Sequence, residues 1–223
     1  MQFDKNNLIG LIIGGLIVAS VSMALFLYPL TQNQKLPIIK QAPDFSLINQ
    51  DNETVTLNQL QGKVLMLGFI YTNCEDECFL MTSHFKSIQN ELGSILGSQV
   101  MLIFITLDPL HDRPAILKSY AEQWGANLSG WQFLTAYDLE TIKQVIEDYG
   151  VISYTNVLEE LINTTDDNTS ISYKITNDND TQPSILIHSW VSMLIDQNLM
   201  IRKVYTKVNW ILSVAINDIT SLL

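Results

Sequence analysis

The chain has 223 residues, which allows one membrane anchor and one ordinary domain but hardly two domains. Apolar residues make up 47% and charged residues only 16%, against about 25% in ordinary domains, so part of the chain is expected to lie outside water. The net charge of -11 argues against a nucleic-acid binder, because neutralising phosphates needs a basic surface. Two cysteines are too few for a disulfide-stapled mini-protein.

The first predicted element is a membrane anchor within residues 1–30. Residues 8–30 carry no charged side chain. As a helix they would extend about 34 Å, against about 30 Å for the hydrocarbon core of a bilayer. The competing interpretation is a cleaved signal peptide, which needs a shorter apolar region and a small-residue cleavage site, for which Ala19-Ser20-Val21 is a poor match. We therefore expect a single-pass membrane protein.

The orientation of this protein in the membrane is expected to place the domain on the extracytoplasmic side. The positive-inside rule hardly decides the matter, because Lys5 on one side is opposed by Lys35 and Lys40 on the other. Asn-x-Ser/Thr sequences are typical of exported domains, although an Asn-rich chain also produces them by chance. In residues 31–223 they begin at Asn52, Asn127, Asn163, Asn168 and Asn179.

Residues 31–41 are predicted to be a polar tether, and residues 42–223 a single domain. Its first elements are two short strands at 44–48 and 54–57 and a strand at 64–71, whose unbroken apolar run is typical of burial on both faces. The later elements are a helix at 78–92, an apolar strand at 100–107, a helix at 114–124, a strand at 131–134, a helix at 138–149, a hairpin of 185–195 with 200–206, and an amphipathic segment at 208–222. Because strands alternate with helices, we expect an α/β sheet with helices on both faces.

Residues 153–183 interrupt this alternation. Their middle part is rich in Asn, Thr and Asp and lacks apolar periodicity. Six acidic residues stand against the single basic residue Lys174, namely Glu159, Glu160, Asp166, Asp167, Asp178 and Asp180. We interpret the segment as a solvated acidic insertion with a short hairpin at 172–175. An acidic docking surface for a cationic partner is the alternative.

The cysteines Cys74 and Cys78 stand just after the first buried strand, at the start of a predicted helix. Residues four apart on a helix point the same way, so both sulfurs can face one metal ion or bond to each other. A helix N-terminus favours the thiolate, whereas the three acidic residues between the cysteines oppose it. The spacing therefore leaves three interpretations open, which are a metal site, a redox pair and a plain disulfide.

Three histidines are candidates for a further ligand. His84 falls on the helix after the cysteines and is expected to be exposed or partly packed. His111 lies in the loop after the second buried strand, at the edge where open α/β sheets bind ligands, although a turn residue is the simpler interpretation. His188 interrupts an apolar stretch, and a buried imidazole there must find a partner.

Three motifs, in this order behind the predicted anchor, resemble the Sco/SenC family. They are a CxxxC after Gly-Phe-Ile-Tyr-Thr, the loop Thr-Leu-Asp-Pro-x-x-Asp-x-Pro at 106–114, and a late His-Ser before Leu-Ile-Asp at 194–196. That family consists of membrane-anchored, thioredoxin-fold copper proteins that help to assemble the copper site of cytochrome c oxidase. The resemblance implies a thioredoxin-like mixed sheet flanked by helices, with Cys74, Cys78 and His188 as copper ligands. The chain departs from the family pattern at Glu75 and Phe79, where proline commonly follows each cysteine.

The chemistry of these three side chains agrees with what the resemblance implies. Two thiolates and one imidazole suit Cu(I), and can hold Cu(II) with a weak oxygen ligand, whereas a structural zinc ion usually has four protein ligands. We therefore expect a copper metallochaperone for the copper-site subunit of cytochrome c oxidase or another copper protein. The alternatives are a thiol–disulfide oxidoreductase with Cys74 and Cys78 as its redox pair, although such enzymes normally carry CxxC, and a structural adaptor.

Overall fold

A computed structural model describes residues 14–20, 22–23, 36–73, 77–151, 172–176, 184–188, 191–206 and 211–223, with the backbone alone at Glu77, 172–176 and 184–188. The chain divides into a unit from Met1 to Lys35 and a unit from Leu36 to Leu223. Residues 14–20 and 22–23 of the first unit are helical. Within the described residues, no helix combines the length and the apolar character that crossing a bilayer requires. Most of the predicted anchor at 1–30 lies outside those residues.

The second unit is built on a mixed sheet. The described strands are β1 (Lys40–Gln41), β2 (Ser46–Asn49), β3 (Thr54–Thr56), β4 (Val64–Ile70), β5 (Val100–Thr106), β6 (Trp131–Thr135), β7 (Ser172–Thr176), β8 (Ser184–His188), β9 (Ser192–Ile195) and β10 (Met200–Tyr205). Eight of them form one sheet in the order β1-β10-β9-β4-β5-β6-β2-β3. Neighbours in the central trio β4, β5 and β6 are parallel, and the other pairs are antiparallel. The carboxyl ends of β4, β5 and β6 therefore meet at one edge, which we call the site edge.

Helices cover both faces of this sheet. They are α1 (Glu77–Leu92), α2 (Pro114–Gln123), α3 (Leu139–Tyr149) and α4 (Leu212–Thr220), with short 3-10 turns at Leu57–Leu60 and Gly93–Ile95. Alternate residues of β4 enter different cores, since Met66 packs in the core that contains Phe85 of α1, whereas Leu67 packs in the core that contains Ile142 of α3. The predicted α/β sheet flanked by helices is thereby confirmed.

Local sequence signals account for the helix ends. Pro114 occupies the first turn of α2, where its missing N–H is not needed. The Asp138 side chain accepts a hydrogen bond from the Thr141 N–H at 2.8 Å and caps α3. Gly150 ends the same helix with φ 73°, a left-handed conformation that glycine adopts at little cost. The predicted helices at 114–124 and 138–149 are confirmed.

One predicted strand was wrong. The apolar run 185–195 is not one strand of a hairpin, because Ser184–His188 pairs antiparallel with Ser172–Thr176 in a separate two-stranded sheet. Only Ser192–Ile195 pairs with β10. The short hairpin predicted at 172–175 is likewise one strand of that pair. The polar residues His188 and Ser189 interrupt the apolar run where β8 ends, but so short an interruption does not distinguish the end of a strand from a polar position within one.

Arg202 holds the first residues of the second unit in place. Arg202 forms an ion pair with Asp196 at 2.7 Å and donates to the backbone carbonyls of Leu36 and Pro37 at 3.1 Å each. Next to these contacts, the Ile39 N–H donates to the Ile201 carbonyl at 2.8 Å and begins the pairing of β1 with β10. Residues 36–41, which include the end of the predicted tether, are therefore held against β10.

Candidate functional site

The cysteine pair belongs to the connection between β4 and α1, at the site edge. Cys78 is the second residue of α1 and is 1% exposed, in the core between that helix and the sheet. Cys74 lies outside the described residues, so the predicted facing of the two sulfurs stays a prediction. The first turn of a helix favours negative charge, whereas burial among apolar side chains opposes it. Cys78 experiences both effects.

Close packing of α1 on the sheet sets the position of Cys78. Gly68 lies two residues before the carboxyl end of β4, and a Cβ atom there would stand 3.0 Å from Met81 Sδ and Phe104 Cε1, and 3.1 Å from Phe85 Cζ. The absence of a side chain at this position is what lets α1 approach the sheet closely. Sequence reasoning placed Gly68 in a buried strand without recognising this role.

A buried hydroxyl ties the first turn of α1 to α2. Thr82 is fully buried, and its Oγ1 lies 2.8 Å from the Cys78 carbonyl oxygen and 2.7 Å from the Tyr120 hydroxyl oxygen. Thr82 donates to the carbonyl, so Tyr120 donates to Thr82. The backbone of Cys78 is thus connected by hydrogen bonds to the neighbouring helix, which restricts its movement.

The loop after β5 contributes a buried carboxylate to the same edge. Asp112 is 0% exposed and accepts hydrogen bonds from the Thr72 N–H, the Thr72 hydroxyl and the Thr106 hydroxyl. Burial raises the pKa of Asp112, the hydrogen bonds from Thr106 and Thr72 oppose that rise, and the nearby charge of Asp108 adds to it. The Asp-Pro motif indicated a loop at this edge, but its residue spacing did not identify Asp112 as the link between the two segments.

The three histidines differ in their placement. His84 lies on α1, is partly buried as predicted, and has its pKa lowered by that burial. His111 is exposed in the loop after β5, where its backbone N–H donates to the Asp108 carboxylate at 3.2 Å. His188 is the last residue of β8, and its backbone pairs with Ser172. The imidazole of His188 lies outside the described atoms.

The described atoms therefore do not test whether the three predicted copper ligands lie close together. In the part of the chain that the structure describes, no three His, Cys, Asp or Glu side chains are grouped to hold a metal ion. Of the predicted set, only the Cys78 side chain belongs to that part. The ligand set Cys74, Cys78 and His188 stays a prediction.

Comparison with known proteins found a matching family model and similar proteins. The SCO1/SenC family model matches residues 34–223. The SCO1 protein homolog of Bacillus subtilis is 32% identical over 129 residues, which cover 58% of this chain and 64% of that protein. The match thus spans slightly less than two thirds of this relative.

Solved structures show the same fold. Copper-bound ScoI of Bradyrhizobium japonicum superposes with a TM-score of 0.61 at 22% identity, covering 82% of this chain and 99% of that one. BsSco, a member of the Sco family of cytochrome c oxidase assembly proteins in which a disulfide switch was identified, superposes with a TM-score of 0.61 at 24% identity, covering 85% and 98%. These superpositions confirm the predicted thioredoxin-like fold. Since the family model covers the whole of the second unit, this chain belongs to the SCO1/SenC family.

Proposed function

We propose that the chain is a copper-binding metallochaperone that delivers copper to the copper site of cytochrome c oxidase. The observation that carries the proposal is the placement of Cys78 in the first turn of α1, at the site edge, where open α/β sheets bind their ligands. Membership of the SCO1/SenC family and the copper bound by the Bradyrhizobium japonicum relative support it. Copper is here the cargo of the protein.

The proposed ligands are Cys74, Cys78 and His188. Two thiolates with one imidazole form a soft, three-coordinate set that fits Cu(I) and leaves a position open for a ligand of the acceptor. The topology supports the inclusion of His188, because β9 begins at Ser192, opposite Gly68 near the site edge. His188 precedes Ser192 by four residues, and four residues span at most about 14 Å of extended chain.

Metal analysis of the purified chain tests this ligand set. We expect about one copper ion per chain, by analogy with a single three-ligand site, and loss of that copper in His188→Ala and in Cys74→Ser. His111→Ala is the matched control, since it removes an exposed imidazole from a loop at the same edge and should leave binding intact. Copper bound in full by His188→Ala would contradict the proposed site.

Anchoring at the membrane is part of the proposal. The uncharged run at 8–30 supports a single-pass anchor with the domain on the extracytoplasmic side. After expression in a bacterium, the chain should resist extraction from membranes by alkaline carbonate, and its domain should be digested by protease added to spheroplasts. A carbonate-soluble chain, or a domain protected until the cells are lysed, would refute this part.

A thiol–disulfide oxidoreductase is the second candidate function. The disulfide switch identified in BsSco favours redox chemistry of the cysteine pair. Such an enzyme needs both cysteines but not His188. Reduction of insulin disulfides that is lost in Cys78→Ser and fully kept in His188→Ala would favour the oxidoreductase over the metallochaperone.

A further inference from the structure

The side chain of Asp112 joins the two segments that meet at the site edge. Its Oδ2 accepts from the Thr72 N–H at 3.0 Å and from the Thr106 hydroxyl, and its Oδ1 accepts from the Thr72 hydroxyl. Thr106 is the last residue of β5, and Thr72 is two residues before Cys74. One carboxylate therefore holds both the backbone and the side chain of the residue that leads into the cysteine pair.

Burial of this carboxylate is costly. Asp112 has no exposed surface, and among the described residues no basic side chain forms an ion pair with it. A buried charge without a basic partner is expensive even when it is hydrogen-bonded. An apolar residue would fill the same space at a lower cost. We therefore expect Asp112 to have a function at the site edge other than stabilising the fold.

We propose that Asp112 is a positioning residue for the thiol pair, which fixes Thr72 and so holds the start of the connection to Cys74 in the geometry that closes the Cys74–Cys78 disulfide. Two hydrogen bonds from one residue to the two oxygens of one carboxylate set the direction of the chain as well as its position. Without them the connection gains conformational freedom, and closing the disulfide costs more entropy. The dithiol is then favoured. This inference rests on the proposed function only in taking Cys74 and Cys78 as the working pair.

The test is the thiol–disulfide equilibrium of the full chain with glutathione, measured without copper. In this exchange the Cys74–Cys78 disulfide takes two electrons and two protons from two glutathione thiols, which gives two cysteine thiols and one glutathione disulfide. The dithiol fraction is measured by mass after maleimide labelling. We expect Asp112→Ala to shift the equilibrium constant about tenfold towards the dithiol, or about 30 mV for a two-electron couple.

Asp112→Asn and Asp196→Ala are the matched variants. In Asp112→Asn, the new amide oxygen takes the place of Oδ2 and can accept from the Thr72 N–H and the Thr106 hydroxyl, while the new NH₂ group donates to the Thr72 hydroxyl. The constant should then return to within about threefold of the parent, a difference below about 1 kcal/mol. Asp196→Ala removes a buried carboxylate that binds Arg202 by the turn between β9 and β10. Because Ile195 pairs with Leu65, this turn lies beside the start of β4, at the opposite end of that strand from Thr72, so the variant controls for a general loss of stability.

Several outcomes would overturn the inference. The first is an Asp112→Ala chain whose equilibrium constant equals that of the parent. The second is an Asp112→Asn chain whose constant shifts as far as that of Asp112→Ala, and the third is an Asp196→Ala chain that shifts equally far. If Asp112→Ala does not fold, Thr72→Val replaces it, since it removes the hydroxyl donor and keeps the backbone N–H. A shift of about threefold towards the dithiol, roughly the loss of one hydrogen bond, then supports the inference, and no shift overturns it. Because copper is absent from the assay, these results do not depend on the copper proposal.

Discussion

The substitution Gly68→Ala tests the packing that positions α1. The new methyl group would stand 3.0 Å from Met81 Sδ and Phe104 Cε1 and 3.1 Å from Phe85 Cζ, which is tighter than ordinary van der Waals contact. Phe85 and Phe104 are fully buried, with ring centroids 4.4 Å apart, so they have little room to move. Overpacking of a core costs about 1–3 kcal/mol.

An opposing effect reduces this cost. Alanine is better than glycine by about 0.5–1 kcal/mol inside a strand, because glycine loses more backbone entropy on folding. Because three contacts at 3.0–3.1 Å place the overpacking cost in the upper part of its range, about 2–3 kcal/mol, the net destabilisation of Gly68→Ala is about 1–2.5 kcal/mol. For a domain of this size that is about 2–10 °C in Tm. Urea unfolding followed by circular dichroism measures the change in the free energy of unfolding.

The double variant Gly68→Ala/Met81→Ala identifies the cause. Alanine has no atom at the position of the sulfur that the new methyl group would meet, and Met81→Ala alone is expected to cost about 2–5 kcal/mol. We expect the double variant to be more stable than the sum of the single effects predicts, by about 0.5–1 kcal/mol. A Gly68→Ala chain as stable as the parent would refute the reasoning.

Three further predictions concern polar groups. Thr82→Val should lower the free energy of unfolding by about 1–3 kcal/mol because it removes the buried hydroxyl that accepts from Tyr120 and donates to the Cys78 carbonyl. The loss from Tyr120→Phe should then be smaller in the double variant than alone, and additive losses in urea unfolding would argue against the hydrogen bond. Burial raises the pKa of Asp112, so the folded state binds this proton more tightly than the unfolded chain and stability falls as the pH rises above the ordinary value near 4. Asp112→Asn should accordingly be more stable than the parent at pH 7, with a difference that shrinks as the pH falls towards about 4, whereas a difference independent of pH would contradict this sign. Arg202→Ala should speed hydrogen exchange at the Ile39 amide without exposing β4, and unchanged exchange there would show that the arginine does not hold β1.

The central strands of the fold could be predicted because their sequences are unambiguous. All seven residues of β4 and of β5 are buried, and apart from Thr106 none of them has a polar side chain, which is typical of strands covered on both faces. The edge strand Lys40–Gln41 could not be found, because two exposed residues have no pattern and their pairing with β10 depends on the distant Arg202. Local sequence patterns thus predicted the core strands. The edge strand depends on contacts between residues far apart in the sequence, which such patterns do not reveal.

The candidate site, too, could be predicted from the sequence only in part. The position of Cys78 at a strand-to-helix connection was readable, because a buried strand followed by a helical pattern fixes it. The role of Asp112 was not, since sequence spacing does not say which carboxylate of a loop turns inward. The contribution of His188 depends on how the chain passes between β8 and β9, and the polar residues His188 and Ser189 within the mostly apolar run 185–195 do not specify that passage.

The Arg202 contacts have a mechanical consequence. Asp196 and Arg202 lie by the turn between β9 and β10, beside the start of β4, because Ile195 pairs with Leu65. Seven residues of β4 separate that end from the site edge, a distance of roughly 20 Å. Tension applied through Leu36 would be borne first by Arg202 and by the pairing of β1 with β10, two strands away from β4. A force on the residues before Leu36 would therefore reach α1, the helix that carries Cys78, only after these contacts had broken.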